Sequence, residues 1–203
     1  AASGTVQTAD GRTISFSLQL AQTRSYHEEA SVSIRMGDAA QATDPLVLNF
    51  AGTAAQLTDQ RFSFDLNADG TDEQIPFVGA GSGFLVFDRN GDGKVNDGRE
   101  LFGPSTNNGF GELAALDSDH NGWIDENDPA FKQLAVWSRD ASGSDRVQML
   151  QEAGVGALSL QHIATPFSIK NDANQLVGQV QNAAIFLQEN GSAGTMQQID
   201  LTA

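Results

Sequence analysis

The chain contains no cysteine, which excludes disulfide staples and thiolate metal or redox sites. Histidine is nearly as scarce: His27, His120 and His162 are isolated, so a histidine-based zinc site is not expected. Basic residues are few, 11 Lys and Arg against 26 Asp and Glu, leaving a formal charge of −15 and a pI near 4.2. Such a balance argues against nucleic acid and anionic membrane as partners. No apolar run approaches membrane-spanning length, so membrane insertion is not expected either. No Ser/His/Asp or paired-carboxylate hydrolase constellation stands out. With 203 residues the chain can bury a sizeable core as one compact domain.

What the chain does have is carboxylates in a pattern. Residues 65–128 hold 14 acidic and 3 basic side chains, a net −11 in 64 positions. A solvated acidic face would carry such a charge, but would not place oxygens at alternate positions around glycines. Asp88-Arg89-Asn90-Gly91-Asp92-Gly93 and Asp117-Ser118-Asp119-His120-Asn121-Gly122 do so, each with an apolar residue at the eighth position, Val95 and Ile124. Ca²⁺ takes six to eight hard oxygen ligands, and glycine at the sixth position makes the sharp turn that keeps them convergent. Calcium is therefore the expected cofactor, with two sites and a third less complete.

Four Asp-initiated loops begin at 65, 88, 117 and 140, and they differ in completeness. The loop from Asp117 offers Asp117, Asp119, Asn121, Asp125 and Asp128, with the Trp123 carbonyl at the seventh position. Asp128 also stands where it can cap the helix that Pro129 opens. The loop from Asp88 offers Asp88, Asn90, Asp92, the Lys94 carbonyl and Asn96. Its twelfth position is Arg99, and Glu100 closes the site if Gly98 expands the loop by one residue. The loop from Asp65 matches a shorter strand-loop-strand pattern, with Asp65, Asn67, Asp69, Thr71 and Glu73 as ligands. The stretch from Asp140 lacks later carboxylates and reads as a helix-capping turn.

Around these loops the sequence alternates as strands do. Ile14, Phe16, Leu18 and Leu20 form one such set, and Val32, Ile34 and Met36 another, with Asp10-Gly11 placed for a hairpin turn. Strands are also expected at 46–50, 83–87, 157–160, 167–169, 176–180, 184–187 and 196–201, with a hairpin turn at Glu189-Asn190-Gly191. Helices are expected at 110–116, after Pro129, and over 145–152. The expected fold class is α+β, a mainly β framework with a short-helix, EF-hand-like calcium region in the middle. The expected regions are 1–64, 65–153 and 154–203.

The order of motifs carries a family resemblance. Asp44-Pro45-Leu46-Val47-Leu48, the acidic loop at Asp65, Gly83-Phe84-Leu85-Val86-Phe87, Glu100-Leu101-Phe102-Gly103, Asn108-Gly109-Phe110, Leu113-Ala114-Ala115-Leu116 and Leu134-Ala135-Val136-Trp137 follow one another in a recognisable series. Over roughly 44–160 the chain resembles the calcium-dependent self-processing module of iron-regulated RTX-type bacterial proteins. The resemblance implies that calcium-induced folding triggers cleavage of an Asp-Pro bond, here Asp44-Pro45, after which a lysine amine can capture the new aspartyl end. It also implies an extracellular or cell-surface location. Such modules usually carry an Asp-rich loop directly after Leu-Val-Leu, where this chain reads Asn49-Phe50-Ala51-Gly52-Thr53-Ala54. The leading reading is a calcium-binding module. Autocatalytic cleavage at Asp44 and Pro45 is the alternative, and a structural or adhesive spacer a third. Which protein or glycan it meets is not legible in the sequence.

Overall fold

The computed structural model describes residues 2–7, 13–18, 43–51, 54–140 and 143–202. It is mainly β. Strands β1 (Ala2–Gln7) and β2 (Thr13–Leu18) form an antiparallel pair. The predicted Asp10-Gly11 turn and the 32–36 strand lie outside the described residues. β3 (Leu46–Asn49), β4 (Leu57–Phe64), β5 (Glu73–Val78) and β6 (Ser82–Phe87) follow, then β7 (Trp123–Asp125), β8 (Leu134–Arg139), β9 (Asp145–Met149) and β10 (Val155–Ser159). β11 (Ile163–Lys170), β12 (Leu176–Gln188) and β13 (Ala193–Leu201) complete the order. A nine-stranded sheet runs β7-β10-β12-β13-β3-β6-β8-β9, with β11 also pairing β12; β4 and β5 form a separate hairpin.

The centre of that sheet is buried on both faces, which is why its strands read as unbroken apolar runs. Successive side chains alternate between faces. Leu46, Leu48, Leu85, Leu134 and Val136 enter one core with Phe102, Phe110, Phe131, Phe186 and Met196. Val47, Phe84, Val86, Ala135 and Trp137 enter the other with Phe64, Ile75, Phe77, Val180 and Ile199. Within the second core Trp137 is ringed by Phe62, Phe64, Phe77 and Phe84 at centroid distances of 5.7, 5.2, 5.0 and 5.7 Å.

The α+β expectation is overturned. No EF-hand helices flank the acidic loops. Helix α1 (Gly109–Ala114) has six residues, and the segment after Pro129 is a 3-10 helix over Pro129–Gln133. The Asp65 loop joins two strands, β4 and β5. The helix expected over 145–152 is strand β9 up to Met149. There Val147 and Met149, two apart, pack against the second core, and Asp145 pairs with Arg139 at 2.7 Å. Tertiary burial at a spacing of two overrides a modest helical preference. The two stretches expected at 176–180 and 184–187 are one strand, bent by a bulge between Val180 and Asn182.

Truncating the aromatic hub should cost far more than truncating the sheet rim. Trp137→Ala is expected to lower the unfolding free energy by about 3–5 kcal/mol. Ile163→Ala, on a side chain 63% exposed, should stay near the scatter of surface substitutions. Urea denaturation measures both, and equal losses would contradict the two-core arrangement.

Candidate metal centres and the Asp44-Pro45 bond

The chain makes the same turn three times. In the loops from Asp65, Asp88 and Asp117, the fourth and sixth residues take left-handed backbone. The φ values are +60° and +90° for Ala68 and Gly70, +72° and +73° for Gly91 and Gly93, and +57° and +84° for His120 and Gly122. Side-chain oxygens impose it. Asp65 accepts the amides of Asp69 and Gly70 at 3.0 Å each, Asp88 those of Gly91 and Gly93 at 2.7 and 2.9 Å, and Asp117 those of Asn121 and Gly122 at 3.2 and 3.0 Å. The third-position oxygen of Asn67, Asn90 or Asp119 takes the fifth amide. The fifth-position oxygen of Asp69, Asp92 or Asn121 takes the amide of Thr71, Lys94 or Trp123. Such Asx turns are local, so six residues suffice to specify them.

A late carboxylate then folds back over each loop. Glu73 accepts the Leu66 amide at 2.8 Å, and Glu100 the Asn96 amide at 2.8 Å. Asp128 takes the amide and hydroxyl of Ser118 at 2.7 and 2.9 Å with one oxygen, and the Asp125 amide at 3.1 Å with the other. Asp128 therefore makes no capping bond to the 3-10 helix that follows, contrary to the cap reading. Oxygens of Asp117, Asp119 and Asp128 lie within 4.8 Å of one another, the one acidic trio this tight among the described residues. Asp125, expected as a fellow ligand, accepts the Asn127 amide at 2.9 Å and lies outside that trio. The all-oxygen donor set suits a hard cation, and the Asp117 loop fits one best.

In the Asp88 loop, Gly98–Glu100 is a 3-10 turn that buries Glu100. Arg99, at the twelfth position, is turned outward and held by Asp97 at 2.6 Å. That pairing lowers the Asp97 pKa; the Asn96 amide, then the Lys94 amide, lower that of Asp92. Gly98 also locks two loops together: its amide donates to the Asp65 carbonyl at 2.8 Å, and a Cβ there would overlap the Leu66 carbonyl oxygen. The Asp140 stretch caps no helix. Asp140 follows β8, and the Ser144 amide just before β9 binds its carboxylate at 3.0 Å.

Asp44 and Pro45 lie inside the protein, just before β3. The Ile199 amide donates to the Pro45 carbonyl at 3.2 Å, the Leu201 amide to that of Thr43 at 3.3 Å, and the Leu46 amide to that of Phe102 at 3.0 Å. Gly103, at φ +118°, presses on the bond itself: a Cβ there would overlap the Asp44 carbonyl oxygen and stand 2.7 Å from its carbonyl carbon. Asp44 is 5% exposed and accepts from Gln198 at 2.7 Å. Burial, with the neighbouring Asp200 carboxyl, pushes its pKa up to about 7, against the Gln198 hydrogen bond that lowers it. Gln198 and Asp200 were missed in the sequence; a polar residue in a distant strand carries no local signal. Gly103 was quoted in Glu-Leu-Phe-Gly, but its role was not.

With this geometry in place, the family is plain. Residues 46–202 match the SPM domain family, and the chain belongs to it. Among curated proteins, it is 33% identical over 135 residues to the iron-regulated protein FrpA of Neisseria meningitidis serogroup C. That match covers 59% of this chain and spans 12% of the length of the relative.

The raised Asp44 pKa has a signed consequence. A carboxyl whose folded pKa exceeds its ordinary 3.8 stabilises the fold fully below that value, and the contribution is lost as pH rises through about 7. The stability difference between the native chain and Asp44→Asn should therefore shift against the native chain from pH 4 to 7. Denaturant melts across that window check it; a flat difference would mean Asp44 titrates normally.

Proposed function

We propose that this chain is a calcium-binding module of a bacterial, secreted or surface-exposed protein, ordered by Ca²⁺. The observation that carries the reading is the threefold repeat of one turn, each directing oxygens around a glycine and closed by a later carboxylate. A segment of net −11 repels itself, and bound Ca²⁺ would offset the repulsion while fixing several loops. Sites of moderate affinity fill at extracellular calcium levels, which supports the location. Asp117→Ala should remove one Ca²⁺ in calorimetry of the decalcified protein, and Asp140→Ala none. Equal losses, or equal stabilisation by Mg²⁺, would refute the ligand assignment.

A second reading is favoured by the Gly103 contact on a buried Asp44-Pro45 bond: calcium-triggered self-cleavage. In it the Asp44 side-chain carboxylate attacks its own carbonyl carbon, the bond to the Pro45 nitrogen breaks, and a cyclic anhydride forms for water or an amine to open. Proline helps because its nitrogen, once protonated and twisted, departs more readily than that of an ordinary amide. Clamps on both sides of the bond, from β13 and from residue 102, supply the orientation such a step needs. Adding Ca²⁺ to decalcified protein at neutral pH should yield a fragment beginning at Pro45, seen by mass spectrometry and absent in Asp44→Ala. Prolonged incubation without that fragment would leave the binding module alone.

A further inference from the structure

The buried carboxyl of Asp44 is only half satisfied. Its Oδ2 accepts from the Gln198 side-chain amide at 2.7 Å, while Oδ1 is buried with no donor. A buried, ionised carboxylate with an open oxygen is costly, whereas a protonated one can bond to a neighbouring acceptor. That neighbour is Asp200: the β13–β3 ladder that pairs Gln198 with Leu46 is continued by the Ile199-to-Pro45 and Leu201-to-Thr43 backbone hydrogen bonds, which set Asp200 opposite Asp44 on the face that Gln198 also occupies. Asp200 is itself fixed: its Oδ2 accepts from Gln181 at 2.6 Å. Gln181 is the extra residue of the β12 bulge, where Val180 pairs Ile199 and Asn182 pairs Gln198. Bulges re-aim side chains, and this one delivers an amide to Asp200. A further ionisable group near the bond among the described residues is Glu112 of α1, whose Oε2 accepts the Gly103 amide at 3.1 Å.

We propose that Asp200 is a positioning residue for Asp44: the two carboxyls share one proton, with Gln198 and Gln181 each fixing one oxygen of the pair. The inference rests on the cleavage reading for its purpose. Two adjacent carboxyls do not both ionise cheaply, so one proton is retained at neutral pH. With that proton on Asp200, the Asp44 carboxylate is free to attack. As its oxygen bonds to the carbonyl carbon and the bond to Pro45 breaks, the proton ends on the departing Pro45 nitrogen, leaving Asp200 ionised. Water then opens the anhydride into two carboxyls. Titration belongs to the pair rather than to either member.

The test follows the Asp44 side-chain carboxyl by NMR across pH in the whole calcium-loaded chain, alongside the pH profile of Pro45-fragment release. In the native chain Asp44 should titrate near neutrality. Asp200→Asn should move that titration down by about one unit or more and cut fragment release roughly tenfold, with its pH profile displaced. Asp200→Glu should restore part of both, and Gln181→Ala should give a smaller displacement in the same direction. Unchanged calcium stoichiometry reports that the variants fold. An Asp44 titration at the ordinary carboxylate value, or one unmoved by Asp200→Asn, overturns the pair. Absence of any fragment from the native chain overturns the cleavage reading alone, since the titration still decides whether the proton is shared.

Discussion

Two backbone approaches too close for any Cβ, Gly98 on Leu66 and Gly103 on Asp44, tie the acidic loops to the Asp44-Pro45 bond. They stand five residues apart on one strap. Between them, Glu100 folds back over the Asp88 loop, Leu101 bridges Val86 of β6, and the Phe102 carbonyl takes the amide of Leu46. The strap has little slack: Leu101 and Phe102 are buried, and Glu100 is 5% exposed. In the calcium reading, whatever fixes Glu100 also fixes Gly103 against the Asp44 carbonyl. Ordering by a cation would then reach the bond through three residues of packed backbone.

The carboxyls divide into two populations by environment. Those of the loops accept backbone amides, and two carboxyls there have lowered pKa values, Asp92 chiefly through the Asn96 side-chain amide and Asp97 chiefly through the Arg99 guanidinium. Asp44 has one amide donor and a carboxyl neighbour in a buried site, so the neutral form is favoured. The first environment offers oxygens to a cation; the second, buried beside another carboxyl, suits acid-base chemistry. A single acidic count over the chain hides that difference.

What could be read from sequence was what is local. Asp-x-Asx-x-Asx-Gly specifies its own turn through side-chain bonds within six residues, so all three loops were legible. The apolar runs of β3 and β6 were legible too, because burial on both faces removes polar interruptions; residues 134–137 of β8 entered only as a motif of the family resemblance. Of the helices expected beside the loops, the one at 110–116 is the six-residue α1, the one after Pro129 is a 3-10 turn, and the one over 145–152 is strand β9 up to Met149. β5 was implied only by the strand-loop-strand pattern of the Asp65 loop; its Pro76 is tolerated in a two-stranded hairpin. The Asp44 surroundings were illegible for a different reason. Gln198 meets Asp44 across a sequence separation of 154, and Gln181 reaches Asp200 only because of a bulge.

The segment after Leu48 holds a neutral polar network. Asn49 is buried, donates to Thr195 at 3.4 Å and accepts from the Ser82 hydroxyl at 3.2 Å. The Phe50 amide reaches the Gly81 carbonyl at 2.8 Å, and the Ala55 amide the Gln197 side chain at 2.8 Å. These bonds join β3 to β6 and β13 without any charge to neutralise, so they hold whether or not a cation is present. The downstream side of the Asp44-Pro45 bond is thus anchored by ordinary hydrogen bonds. Its other support, the strap carrying Gly103, is joined to two of the acidic loops through Gly98 and Glu100. In the calcium reading, a cation would therefore act on one side of the bond only.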